Sequence, residues 1–538
     1  MTDAAQAESR ERLLGDFPAS SYEAWREAAE ALLKGAPFER RLLTRTPEGI
    51  TLQPIYHGED VEGVAHVEGV PGRPPYVRGT DPAGYARQPW RVTQELPHAT
   101  ADAFNEAARA DLERGQTALA LPLDRATRLG LDPDAADPEE VGAGGVSVAT
   151  LDEFARALDG IDLGTVPLRV TAGAAGLPVL GLLVALARRR GTDPARLRGI
   201  VATDPLGELA RRGTLPGSLE GAWKEVGAAL RWASEHAPHL RVAEVDGAPY
   251  ADGGASAVEE LAFVVASGVD YLRAMRDRGL DVDRAARRLG LSFRVGSSYF
   301  MEVAKLRAAR LLWARVVKAF GGGAESQKAE IHARTASWNK TVLDPWVNLL
   351  RTTTEAFAAV VGGTDSLHVG FFDEAVRAPD GFSRRMARNI QLILREECHL
   401  TRVADPAGGS WFVESLTDEL ARESWSLFQE VEAEGGMAAA LAVGLPQERV
   451  AATARARRER LATRRDVLVG INRYANPDET PLGEPGSGAG PSDAPAPPPP
   501  EERARVVVAH RDGRGEARAE EVAERLAELS DAGGDERV

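Results

Sequence analysis

Four short apolar runs in this sequence end in small or polar residues that suit contact with a ligand. They are Thr171-Ala172-Gly173, Thr203-Asp204, Asp246-Gly247 and Gly296-Ser297-Ser298. Hydroxyls, carboxylates and permissive backbone at such points can hydrogen-bond a polar substrate, although the same residue types also make turns. The single cysteine, Cys398, has no local nucleophile signature and reads as a small structural residue. One thiol forms no internal disulfide and offers no cysteine cluster to zinc, so no metal site is expected and a reducing cytoplasm fits.

The elements that must position these residues alternate in type. Short β-type runs begin near Thr117, Val146, Leu168, Gly199, Leu240, Leu291, Glu330 and Leu367. Nearly all precede amphipathic stretches such as Leu177 to Arg189, Ser218 to Glu235, Ser256 to Arg276 and Tyr299 to Lys318. Eight βα repeats predict an α/β protein built on a (β/α)8 TIM-type barrel, with the polar strand ends at its ligand-binding face. Before it, an arm spans 1–75, with a helix around Tyr22 to Lys34 and strands near Ile50 to Tyr56. After the barrel, 76–425, come a helical extension, 426–475, a Pro/Gly-rich linker, 476–500, and a short tail, 501–538.

Charge and hydropathy exclude two function classes. Lys and Arg number 65 against 81 Asp and Glu, a net charge of −16, so nucleic-acid binding has no electrostatic support. The basic runs Arg188-Arg189-Arg190 and Arg455 to Arg465 read as solvated helix faces or subunit contacts. Met1 to Asp16 lacks the apolar core of a signal peptide. Ala174 to Ala187 is too short to span a bilayer and contains Pro178, so it reads as a buried helix.

Several stretches resemble the methylmalonyl-CoA mutase family. They include Gln88-Pro89-Trp90, Gly115-Gln116, Tyr299 to Arg310, and Gly363-Thr364-Asp365-Ser366-Leu367-His368 with Asp373-Glu374-Ala375. Val403-Ala404-Asp405-Pro406, Glu430-Val431-Glu432, Gly435-Gly436-Met437 and Val469-Gly470-Ile471-Asn472 extend the match in order. The arm, with Phe17-Pro18, Ser21-Tyr22-Glu23, Trp25 and Leu33-Lys34-Gly35-Ala36, is similar to the small subunit of the heterodimeric bacterial enzymes. The resemblance implies a barrel that binds an acyl-CoA along its axis. It also implies adenosylcobalamin on a C-terminal flavodoxin-like domain, ligated by a histidine of an Asp-x-His-x-x-Gly motif. The cofactor supplies the radical chemistry and the protein supplies orientation.

Departures from the family pattern imply that this copy is non-catalytic. Active members read Arg-Pro-Trp-Thr-x-Arg-Gln-Tyr near the barrel entrance, with arginines on CoA and the tyrosine between substrate and cofactor. Here the run is Gln88-Pro89-Trp90-Arg91-Val92-Thr93-Gln94-Glu95. Glu95 puts a carboxylate where the ring belongs, with an expected desolvation penalty. Where active members have Gly-Tyr-His-Met-Gln-Glu, this chain has Gly247-Ala248-Pro249-Tyr250-Ala251-Asp252, and Pro249 cannot replace the histidine as donor or acid. The fourth-strand Gln-Asn-Asp becomes Ala202-Thr203-Asp204. By resemblance, Arg212 and His332 fall at residual substrate-pocket positions and Glu374 at a residual adenosine contact, whose companion asparagine is Gly370. All three also suit structural polar roles.

No Asp-x-His-x-x-Gly occurs in the sequence, so the cobalamin domain is expected to be absent. His510-Arg511-Asp512-Gly513 is a candidate remnant in the tail. The expectation is therefore a small subunit that pairs with a large catalytic mutase subunit, the partner holding adenosylcobalamin and acyl-CoA. The alternatives are a catalytic barrel of a split mutase with a separate cobalamin protein, or a CoA-thioester-binding homo-oligomer without enzyme activity.

Overall fold

A computed structural model describes residues 21–479 and residue 482, which form two compact units divided after Gly58. In the first unit, helix Tyr22–Leu32 is capped by the Ser21 hydroxyl, which accepts the Ala24 N–H at 3.2 Å. None of its residues is buried, and Leu32 is 82% exposed. Trp25 meets the buried Phe38 edge-on at 6.1 Å, and Thr44–Arg45 pairs antiparallel with Thr51–Leu52. The expected helix thus ends two residues early, and the strands are shorter than the run from Ile50 to Tyr56 suggested. The tail, with His510, and the linker beyond Glu479 other than residue 482 lie outside the described residues.

The second unit is the barrel. Its strands are β1 (Arg91–Val92), β2 (Leu119–Pro122), β3 (Leu168–Gly173) and β4 (Gly199–Thr203), then β5, which runs as Leu240–Arg241 and resumes as Ala243–Asp246. They continue as β6 (Leu289–Val295), β7 (Ile331–Thr335) and β8 (Ser366–His368). Every neighbouring pair is parallel, from Leu119 opposite Leu168 round to Ser366 opposite Arg91. Between β1 and β2 the ring is closed by a parallel bridge, Glu95 with Ala120, and by the Thr117 and Ala118 N–H groups donating to the Val92 carbonyl. The ladder falls into two hydrogen-bonded arcs: β2 to the first half of β5, and the second half of β5 round to β1.

One expected strand is corrected. Val146 is buried but makes only an isolated bridge to Leu123. The eighth barrel strand is Arg91–Val92, too short to announce itself by period-two alternation.

The helices follow the sequence pattern closely. Ser218 and Ser256 cap Leu219–His236 and Ala257–Asp277, the latter through a capping box with Glu259. Pro178 lies in the first turn of the buried helix Gly176–Arg189, where a missing N–H costs no helical hydrogen bond. No helix of the described residues is long and apolar enough to cross a membrane. Gly199 opens β4 at φ +108°, and a Cβ there would fall 1.8 Å from the Leu168 carbonyl oxygen, so close strand approach requires glycine. Helix Trp411–Ala433 is continuous through residue 425.

Candidate functional site

In a parallel barrel, side chains of alternate strand residues point to the axis, where branched apolar layers are usual. This axis is occupied by charge. Near the strand N-termini, Glu330 sits between Arg91 and Arg241, the latter at 3.1 Å. Burial alone would raise the Glu330 pKa, but the fields of Arg241 and Arg91 prevail and hold it at about 2.

Midway, Arg169 of β3 donates to Glu244 of β5 through two hydrogen bonds of 2.6 and 2.7 Å. Their side chains are 11% and 4% exposed. These strands are not neighbours, since β4 lies between them, so the guanidinium and carboxylate meet inside the barrel. The geometry is the bidentate fork in which arginine binds a carboxylate most strongly. Beside them, His332 Nδ1 lies 2.7 Å from Ser366 Oγ. Burial, and then the field of Arg169, push its pKa well below the usual imidazole range. The cavity lined by Arg91, Arg169, Glu244, Glu330, His332 and Ser366 measures about 30 Å³, room for about one water.

At the C-terminal mouth, where barrel enzymes place chemistry, Glu95 stands 3.4 Å from Arg334 and 3.4 Å from His368 Nε2. The Glu95 N–H donates to His368 Nδ1 at 3.1 Å, which leaves the imidazole proton on Nε2, facing the carboxylate. Burial and the surrounding arginines bring His368 down to about 3, so the ring is neutral at physiological pH and Arg334 is the counter-charge. Burial would raise Glu95, yet the charges of Arg334, Arg294 and Arg169 hold it below the usual carboxylate range. The expected desolvation at Glu95 is present and is offset by pairing: the side chain is 28% exposed and lies against Arg334.

The other sequence-predicted residues do not converge on one pocket. Glu374 binds Arg334 at 3.1 Å. A Cβ at Gly370 would lie 2.8 Å from Glu374 Oε1 and 3.0 Å from Thr335 Oγ1, so an asparagine has no room there in this arrangement. Arg212 ends helix Pro205–Arg212 with its side chain 33% exposed, 3.5 Å from Glu140. Pro249 is the second residue of the short helix Ala248–Ala251 just past β5. Next to it Asp204 accepts from the Asp246 N–H, the Gly207 N–H and the Tyr271 hydroxyl at 3.0, 2.9 and 2.8 Å. Burial lifts its pKa to about 7. Cys398 is exposed.

The axial pairs escaped the sequence reading, although they leave a signal. A lone Arg or Glu at an alternate position of a strand buried on both faces needs a counter-charge across the barrel.

The methylmalonyl-CoA mutase family model matches residues 45–531. The chain belongs to the methylmalonyl-CoA mutase family. It is 39% identical over 464 residues to the methylmalonyl-CoA mutase large subunit of Streptomyces virginiae, which covers 86% of this chain and 63% of the relative. It is equally 39% identical, over 477 residues, to the small subunit from the same organism, covering 87% of this chain and 73% of that relative. A methylmalonyl-CoA mutase of Rhizobium meliloti is 38% identical over 460 residues, 85% of this chain and 64% of the relative. The chain thus spans less than two thirds of the large-subunit and Rhizobium relatives.

The methylmalonyl-CoA mutase family uses adenosylcobalamin; here His332 and His368, the two histidines on barrel strands, are buried and lie within hydrogen-bond distance of Ser366 Oγ and the Glu95 N–H.

Proposed function

We propose that this chain is the small, non-catalytic subunit of an adenosylcobalamin-dependent methylmalonyl-CoA mutase. In this reading a large partner subunit carries the cofactor and performs the interconversion of methylmalonyl-CoA and succinyl-CoA. The observation that carries the proposal is the Arg169–Glu244 fork inside the barrel. It occupies the axis along which the family resemblance implies an acyl-CoA, and the space beside it is about 30 Å³. Ligands of that size take pockets on the order of 300–1,000 Å³; a cavity of about 780 Å³ does open around Arg91, Arg241 and Glu330, but neither Arg169 nor Glu244 lines it. Glu95 and Pro249, at the tyrosine and histidine positions, support the same reading. Arg212, His332 and Glu374 are structural polar residues in it.

The test is turnover. The purified chain with adenosylcobalamin and methylmalonyl-CoA is expected to form no succinyl-CoA above a blank, while its complex with the large subunit does. Turnover by the isolated chain, or by the chain with only a separate cobalamin-binding protein, would favour a split catalytic mutase instead.

A further inference from the structure

Helix Val347–Val361 lies on the outside of the barrel with an uncharged face toward solvent. Trp346 at its N-cap is 50% exposed, Leu350 is 67% exposed and Phe357 is 37% exposed. They sit at i, i+4 and i+11, one stripe of a 3.6-residue helix, with the exposed Thr353 and Thr354 between. The helix has only two charged residues, and both are committed elsewhere. Glu355 is buried against Lys340 at 2.7 Å, and Arg351 binds Thr341 Oγ1 and Asn348 Oδ1 at 2.9 and 2.7 Å.

The apolar face continues at both ends of the stripe. Val342 and Leu343 just before the helix are 62% and 58% exposed. At the other end Phe357 meets Tyr299 at 5.1 Å, which meets Phe300 at 5.1 Å, and Phe300 is 48% exposed. Six large apolar side chains, each roughly half exposed, present on the order of 600 Å². That is at the upper end for the largest apolar patch of a free monomer. It matches the apolar core of a standard interface, where about 800 Å² is buried on each side and somewhat over half is apolar.

We infer that this face is where the homologous large mutase subunit docks, an assignment that rests on the small-subunit reading above. Three observations favour a partner of that kind. The patch has the apolar area of a standard stable interface, it lacks the free charges typical of a solvated helix, and large and small subunits are similar to this chain to the same degree. Two barrels of one fold can close a pair through equivalent faces, leaving no open end for further association.

The experiment co-expresses the full chain with the large subunit from the same source and measures the dissociation constant. The wild type is compared with Leu350→Glu and with Thr354→Lys, both at exposed positions where folding is preserved, as checked by circular dichroism. Each variant is expected to weaken the complex at least about 30-fold, the effect of losing an interface hot spot. If the wild type binds and both variants bind equally well, the surface is wrong while the subunit reading stands. If the wild type fails to bind, the subunit reading fails and this inference with it. If the variants instead break up a homodimer, a second copy is the occupant and the inference is overturned. Protection of this helix against hydrogen exchange in the isolated chain, lost on truncation after Glu479, would overturn it in favour of the chain's own C-terminal segment.

Discussion

Glu95 Oε2 and Arg334 Nε face each other across the C-terminal mouth of the barrel at 3.4 Å, and the same guanidinium reaches Glu374 at 3.1 Å. One cation thus serves two carboxylates, one following β1 and one following its neighbour β8. Arg334→Met would strand both. Stability is expected to fall by about 2–4 kcal/mol at pH 7.5, the cost of leaving enclosed charge unpaired. Without the arginine, burial of Glu95 meets one opposing charge fewer, so its folded-state pKa rises and its protonation costs the variant less than the wild type as pH falls. Urea denaturation at pH 7.5 and 5.5 should show a smaller deficit at the lower pH. An equal deficit at both would mean that Arg334 acts by packing alone.

The fork between Arg169 and Glu244 makes a similar prediction with a different control. Arg169→Met leaves a nearly inaccessible carboxylate unpaired and should cost about 3–5 kcal/mol, whereas Arg169→Met combined with Glu244→Leu should recover most of it. Thermal unfolding of the two singles and the double completes the cycle. Additive losses in the double variant would show that the two side chains do not stabilise one another.

His98 yields the pH dependence. Burial and the Arg384 charge lower its pKa from 6.5 to about 4, and the Arg384 guanidinium lies 3.2 Å from Nε2. The folded state keeps this ring neutral while the unfolded chain takes up a proton. The contribution is therefore complete above pH 6.5 and is lost progressively as pH falls to about 4, by roughly 3 kcal/mol in total. His98→Gln keeps an acceptor and cannot titrate. The wild type minus variant stability should drop between pH 7 and 4, and a constant difference across that range would refute the assignment.

The extent of the fold legible in the sequence follows from how each strand is built. Seven of the barrel strands are marked by apolar runs before amphipathic helices, and serine caps locate helices such as Leu219–His236. Arg91–Val92 escapes because two residues display no period, while Val146 imitates a strand by being apolar and extended. The candidate site was less legible. Glu95 and Pro249 stand out by comparison with active family members, but the partner of Glu95 lies 239 residues away, and pairing at such separation is fixed only by barrel closure. Arg212 is suggestive in the sequence, yet a helix end carries its side chain to Glu140.

The backbone ladder is interrupted at Val242, where β5 passes from one arc to the other. Arg169 and Arg241 belong to the first arc, and Glu244 and Glu330 to the second. These pairs act as clasps over that seam, and neither can fasten until both arcs have been assembled. Interactions absent from a folding transition state slow unfolding without speeding folding. The clasps should therefore lengthen the lifetime of the closed ring, a form of persistence suited to a subunit whose proposed work is to hold its shape against a partner.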